Sequence, residues 1–281
     1  MQIKRFRKDK LKLENDGHLS LFFTGVGSAF SKEHYQTNLL IIKGKDHLMI
    51  DCGTKTPQAF YDIGIPVTDI RNFLITHSHA DHIGGLEEII LMGRYVKQVK
   101  PRIFITEKYQ KILWPSLMGG TSFNEKHNNK NLDFKDLWEV VRPLKLKGFP
   151  RETFEINIGS LNIKIFRTKH VPDNASSWED SFWSCGVIID ERIMFTSDTR
   201  FDRELIESFL SLYNLEMIFH DCQFYTGGVH AGIDELDSLP GEIKKKIILV
   251  HFGDNWKGNK KKVRQYGFFG LGKQHHYYNF Y

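Results

Sequence analysis

Thr76-His77-Ser78-His79-Ala80-Asp81-His82-Ile83-Gly84-Gly85 follows directly on the apolar run Phe73-Leu74-Ile75. Three histidines and one aspartate fall within six residues. Imidazole nitrogens and carboxylate oxygens are good donors to zinc and similar divalent ions. On an extended chain His77 and His79 point to one face. A turn after them can swing Asp81 and His82 toward a second point. The spacing therefore predicts two metals side by side, one on His77 and His79, the other on Asp81 and His82. Such a pair can activate water and hold an anionic substrate. The competing reading, a polar surface loop, is disfavoured by the density of the pattern in a chain with 13 histidines.

Outward from this stretch, strands and helices interleave, which predicts an α/β chain. Residues 19–23 read as a strand, and 39–42 with 47–50 as a hairpin around Lys43-Gly44-Lys45-Asp46. Pro57 to Asp62 reads as a short helix, residues 73–75 and 103–105 as strands. From Gly85 a helix starts with Leu86, Ile89 and Ile90 on one face. Residues 107–150 break the pattern with Trp114-Pro115, Gly119-Gly120 and the polar run 124–131, and read as an insertion, part helix and part loop. Strands resume at 154–158, 161–166, 186–189, 193–195, 217–219 and 247–250. A basic, aromatic tail begins at Trp256. The whole, 1–281, is expected to be a single domain.

Several of these strands end in a histidine or an aspartate. His170 follows residues 163–166, Asp198 follows 193–195, His220-Asp221 follow 217–219 and His251 follows 247–250. Strand ends gather at one edge of a sheet, where layered folds bind ligands. Any one of these residues alone is more often a hydrogen-bonded structural group than a ligand. Their shared position raises them together.

With those residues in hand, the chain resembles the metallo-β-lactamase-fold hydrolases, whose H-x-H-x-D-H motif stands here as His77, His79, Asp81 and His82. The resemblance runs from about Leu19 to His251 and implies a four-layer αββα sandwich. It implies two divalent metal ions, most simply Zn2+ with Mn2+ as the alternative. His77, His79 and His170 would hold the first, Asp81, His82 and His251 the second, and Asp198 would bridge. An aspartate rather than a cysteine bridge resembles the phosphodiesterase-like branches. The segment Phe219-His220-Asp221-Cys222-Gln223-Phe224, followed by Gly227-Gly228-Val229-His230-Ala231, is similar to the ribonuclease Z branch. There an acidic residue and a histidine assist proton transfer, which implies catalytic roles for Asp221 and His230 beside Asp81. His220 is expected to be structural, Cys222 a small core residue, and Asp51 a hydrogen-bond partner to a ligand histidine. Gly25 and Gly27 could cradle phosphate, or simply form a tight turn.

Which phosphoester is a further question. The long Gly- and basic-rich arm with which ribonuclease Z grips tRNA has no convincing counterpart here. Residues 220–236 and the ending His251-Phe252-Gly253-Asp254 resemble instead the phage and bacterial anti-Pycsar phosphodiesterases, which destroy cyclic-nucleotide immune signals. That resemblance implies hydrolysis of cyclic mononucleotides to linear nucleoside monophosphates, by a homodimer. A tRNA 3′-end endoribonuclease and a non-catalytic nucleotide-binding protein are the alternatives. Trp178, Trp183, Phe224 and Phe268 are candidates to stack the base, although core packing is the commoner role for each. The loop 171–185 reads equally as a lid and as a surface loop.

Composition sets the outer bounds. The chain is 41% hydrophobic and 26% charged, which suffices for a sizeable core. A net charge of +5 suits an anionic substrate and is too small by itself to argue for nucleic acid, so RNA is the less favoured partner. Cys52, Cys185 and Cys222 form no framework, as expected of reduced thiols in a cytoplasm-like compartment, a host's if the chain is phage-borne. The basic start (Lys4, Arg5, Arg7, Lys8, Lys10, Lys12) is followed by no long apolar run, so neither a signal peptide nor a membrane segment is expected.

Overall fold

The structure is a computed structural model and describes residues 1–281 except Lys8, Asp9 and Asn128, so Lys8 of the basic start and Asn128 of the polar run lie outside the described residues. Its frame is two eight-stranded mixed sheets. The first runs, in spatial order, β1 (Gln2–Arg5), β18 (His276–Phe280), β2 (Leu19–Gly25), β3 (Asn38–Lys43), β4 (Asp46–Ile50), β5 (Asn72–Leu74), β6 (Arg102–Phe104) and β9 (Glu139–Val141). The second runs β10 (Leu144–Leu146), β11 (Thr153–Ile158), β12 (Leu161–Arg167), β13 (Cys185–Ile189), β14 (Ile193–Phe195), β15 (Met217–Asp221), β16 (Ile247–Val250) and β17 (Gly270–Leu271). A small hairpin, β7 (Lys126–His127) and β8 (Lys130–Asn131), stands apart.

Alternation along the strands explains the layering. Val187, Ile189, Ile193, Phe195, Phe219 and Val250 belong to the core between the sheets. Their neighbours Ile188, Met194, Ile218 and Leu249 face the other way, into a second cluster with Leu205, Ile206 and Phe209 of α6 (Arg203–Leu212). Across the middle, Phe23 packs on Phe195 and Phe219 with ring centroids 6.0 and 4.9 Å apart. Each such fully buried phenylalanine contributes about 1.5–3 kcal/mol. The outer side of the first sheet is covered by α1 (Thr56–Asp62), α3 (Leu86–Leu91) and α4 (Glu107–Thr121), whose Phe60, Ile89 and Leu113 are buried. Helix, sheet, sheet, helix is the four-layer order expected. The remaining helices are short or peripheral: α2 (Ala80–Ile83), α5 (Phe134–Leu137), α7 (Ile233–Leu236), α8 (Gly241–Lys244) and α9 (Trp256–Gln265).

One expectation changes. Residues 107–150 are more than helix and loop: β9 pairs in parallel with β6 and β10 antiparallel with β11, so the segment carries the chain from one sheet to the other. The tail from Trp256 packs on its own chain, with β18 inserted between β1 and β2. No helix among the described residues is long and apolar enough to cross a membrane.

Candidate metal centre

In each sheet three of the seven pairings are parallel: β4-β5-β6-β9 in one, β14-β15-β16-β17 in the other. The ends of these strands carry the polar residues. Asp51, Ser197 and His251, each at or just past a strand end, have left-handed backbone at φ 66°, 50° and 61°. Non-glycine residues there cost about 1–3 kcal/mol each, and such strain gathers at functional sites. The turn after His79 winds into α2, which brings Asp81 and His82 onto one turn of helix. That turn docks on the end of β4: Cys52 N–H donates to His82 C=O at 2.8 Å and Gly85 N–H to Cys52 C=O at 2.9 Å. The fit needs a glycine at 53, where a Cβ would stand 1.9 Å from the Asp81 carbonyl oxygen.

The sequence-predicted residues come together as two sets sharing one carboxylate. His77, His79, His170 and Asp198 form the first, and Asp81, His82, Asp198 and His251 the second, with donor atoms within 4.8 Å of one another in each. In the first set His77 Nε2 lies 3.0 Å from His79 Nδ1, which lies 3.4 Å from His170 Nε2. In the second, Nε2 of His82 and Nε2 of His251 each lie 3.2 Å from an Asp81 oxygen and 3.3 Å from an Asp198 oxygen. All are buried except His79.

The opposite ring nitrogens are fixed from behind. His170 Nδ1–H donates to the Val229 carbonyl at 2.7 Å, leaving Nε2 a bare acceptor. Asp51 accepts from His82 Nδ1 at 2.7 Å and from the hydroxyl and amide of Thr76 at 2.8 and 2.7 Å. With its proton given to Asp51, the Thr76 oxygen faces His77 Nδ1 at 3.2 Å. Asp221 stands 3.4 Å behind His251 Nδ1. Partners of this kind select the tautomer that points a lone pair at the centre. Thr76 and the Val229 carbonyl had no signal in the sequence; Asp51 was marked by its place at a strand end.

Charge separates the two sets. Burial pushes the imidazoles of His77 and His79 down, His77 strongly, and that of His170 down to about 4. Burial acts the same way on His82 and His251, but the carboxylates around them, Asp198 foremost, outweigh it and hold both well above the usual histidine range. Burial would raise Asp198 and Asp81, yet His251 and His82 at Asp198, and His82 at Asp81, pull both below the usual carboxylate range.

This donor set fits divalent metal. Asp198 is buried and neither of its oxygens has a hydrogen-bond partner; His82 Nε2 has none either. Buried polar atoms of this kind are costly unless something pairs them. Three ring nitrogens with converging lone pairs, beside a buried carboxylate, call for a cation.

Beside the second set, His230 Nδ1 donates to Asp221 Oδ2 at 2.7 Å, and that same oxygen accepts from Thr199 N–H at 3.0 Å. Asp221 is fully buried, whereas the His230 side chain keeps 21% exposure. Asp221 therefore steadies both His230 and His251. His220 faces away from this group, bonding the Asp221 carbonyl at 2.7 Å, and the thiol of buried Cys222 packs in the cluster under α6.

Other expectations sort by burial. A Cβ at Gly25 would lie 2.2 Å from the Gln36 carbonyl, and Gly27 bridges Gln36 and Phe252, so both serve close packing rather than phosphate. Trp183 and Phe268 are core residues; Trp183 stacks on Tyr109 at 5.5 Å beneath the Arg167 guanidinium. Phe224 is half-buried between the two cores. Trp178 lines a cleft with Lys108, Lys145 and Phe149 that holds none of the candidate ligands. The loop 171–185 is tied down where Arg167 donates to the Ser181 and Phe182 carbonyls at 3.1 Å and Arg200 to Ala175 at 2.6 Å. Phe182 is left 62% exposed.

Among solved structures, the metallo-β-lactamase fold protein YhfI from Bacillus subtilis matches with a TM-score of 0.67 at 15% identity, over 94% of this chain and all of that one. The likeness and the clustered His/Asp donors together define a protein of the metallo-β-lactamase fold with a site suited to divalent metal. The family model described as anti-Pycsar protein Apyc1 matches residues 19–278. Anti-Pycsar protein Apyc1 of Bacillus phage BSP38 is 37% identical over 237 residues, 82% of this chain and 88% of that protein. Its namesake in Paenibacillus sp. (strain J14) is 33% identical over 261 residues, 90% and 99% of the two chains. The chain belongs to the anti-Pycsar Apyc1 family.

Proposed function

We propose that this chain is a dinuclear metal-dependent phosphodiesterase that hydrolyses cyclic mononucleotides to linear nucleoside monophosphates, as a single-domain subunit of a homodimer. The observation that carries the reading is the pair of donor sets sharing Asp198, with the Asp221–His230 pair beside them, in a chain of this family. His77, His79 and His170 would hold one ion, Asp81, His82 and His251 the other, and Asp198 both. Nitrogen-rich donors favour zinc over manganese. Metal ions there supply polarisation of the phosphoryl group and a more acidic water.

The chain's own groups do the rest. Hydrolysis puts a hydroxyl on phosphorus, breaks one P–O bond to the ribose and leaves a proton on the ribose oxygen. His230 delivers that proton from Nε2, because Nδ1–H is engaged by Asp221. Asp221 holds the imidazole in that orientation and stabilises its charged form. Destruction of a cyclic-nucleotide immune signal in a host cytoplasm is the corresponding biological role.

The test is incubation of purified, metal-loaded protein with cyclic mononucleotides and with precursor tRNA. Release of linear monophosphates, abolished by Asp198→Ala, is expected. Cleavage of tRNA alone would overturn the reading, and nucleotide binding without cleavage would point to a non-catalytic role. Sedimentation of the same sample reads the dimer directly.

A further inference from the structure

On the open side of the sandwich, a cleft of about 900 Å³ lies between the edges of the two sheets, and none of the seven candidate ligands lines it. One wall is the β1-β18 pair. Ile3 stands opposite Tyr278 and Arg5 opposite His276, and facing residues of an antiparallel pair share a face. Tyr278 is buried between the sheets, so Arg5 and His276 point inward as well. The other wall is one face of α9, where Trp256, Lys260, Val263 and Arg264 follow helical spacing. Lys273 stands on the loop before β18, and Phe252 and Leu271 help form the floor.

The charges do not balance from within. Arg5, Lys260, Arg264 and Lys273 enter no ion pair among the described residues. Of the two carboxylates in the lining, Glu33 is engaged by Trp256 Nε1 and Lys257, both at 2.8 Å. Asp62 is engaged by the Tyr35 hydroxyl at 2.6 Å and Gln58 at 3.0 Å. An inward charge on an edge strand guards against strand pairing, which accounts for Arg5. It does not account for the lysines and arginine that reach the same space from a helix and a loop. Cations seek phosphate, and the half-buried ring of Trp256, with Lys260 Nζ already 4.3 Å from its centroid, offers a flat surface to a base, whereas Phe252 is buried beneath it. The size lies in the range of small-molecule pockets, about 300–1,000 Å³.

We propose that this cleft is a second ligand site, distinct from the metal centre, that binds a nucleoside monophosphate. The phosphate sits among Arg5, Lys260 and Arg264 and the base against Trp256. Phe252 joins the two sites, since it follows His251 directly and its ring lies 6.2 Å from that of Trp256. The proposal does not rest on the phosphodiesterase reading, because a chain that cut no cyclic nucleotide would still bind here.

The test is calorimetric titration with adenosine 5′-monophosphate, and separately with inorganic phosphate, on the full chain carrying Asp198→Ala. That substitution removes the shared metal ligand and leaves the cleft intact. One nucleotide bound per chain is expected, more tightly than phosphate, with affinity reduced roughly tenfold or more when Lys260→Glu and Arg264→Glu are added. No binding to the Asp198→Ala chain, or binding unchanged by the charge reversal, would overturn the proposal. So would a change of oligomeric state on charge reversal with nucleotide binding unaltered, which would make the cleft a contact between copies. Should Asp198→Ala fail to fold by circular dichroism, the comparison moves to the native chain. There, loss of one of two nucleotide equivalents on charge reversal supports the site, and an unchanged stoichiometry refutes it.

Discussion

Asp51→Asn tests whether the centre is held from behind. The carboxylate spends Oδ1 on Thr76 N–H at 2.7 Å and Oδ2 on both His82 Nδ1 at 2.7 Å and the Thr76 hydroxyl at 2.8 Å. Asparagine has the same shape and keeps an oxygen for the Thr76 amide. Its NH2 then replaces Oδ2, so a donor meets the proton on His82 Nδ1. The hydroxyl can rotate away. The imidazole can relieve the clash only by carrying its proton on Nε2, the nitrogen that faces Asp81 and Asp198. In that tautomer His82 offers no lone pair to a metal. Changing a partner behind a metal ligand typically costs 10–100-fold in metal affinity, roughly 1.4–2.7 kcal/mol. The metal-free protein loses a buried bond to a charged group, worth about 1.5–3 kcal/mol, and Asp51 is fully buried.

The assay is competition for zinc against a chelator of known affinity, run with urea unfolding of the metal-free protein. Asp46→Asn is the control: Asp46 accepts from Ser160 N–H at 2.7 Å, away from the centre. Weaker zinc binding by one to two orders of magnitude, in a variant that still folds, is expected for Asp51→Asn and not for the control. Zinc binding within about twofold of native would refute the reasoning, since a tautomer lock worth more than about 1 kcal/mol could not then exist at His82.

His230→Gln should retain its metal and lose catalytic rate by about 10²–10⁴-fold, read as kcat beside elemental analysis; loss of metal instead would make His230 a ligand. Gly53→Ala forces a Cβ to 1.9 Å from the Asp81 carbonyl oxygen, so the 80–85 turn must shift. Overpacking of this kind costs about 1–3 kcal/mol, and urea unfolding with a metal titration should show stability and affinity falling together.

What the sequence revealed and what it withheld divide along a physical line. A strand is legible from its run of apolar residues, and its end from the polar residue that stops the run. His77, Asp198, Asp221 and His251 could therefore be placed at one edge before any geometry was known. The pairing of Arg5 with His276 could not, because nothing local to either residue marks the other as its neighbour across 270 positions of chain. For the same reason the sequence could not separate Trp183 and Phe268, whose commoner role of core packing is the one they take, from rings free to stack a base. Residues 139–146 are short and half-exposed as strands, so their bridging of the sheets left little trace in the pattern. The groups behind the ligands are harder still. Every residue has a carbonyl, and only the fold selects Val229 to fix His170. Residue type announces the donors because metal binding needs particular atoms. It cannot announce their supports, because a tautomer can be held by a carboxylate, a hydroxyl or a backbone oxygen alike, and here all three are in use.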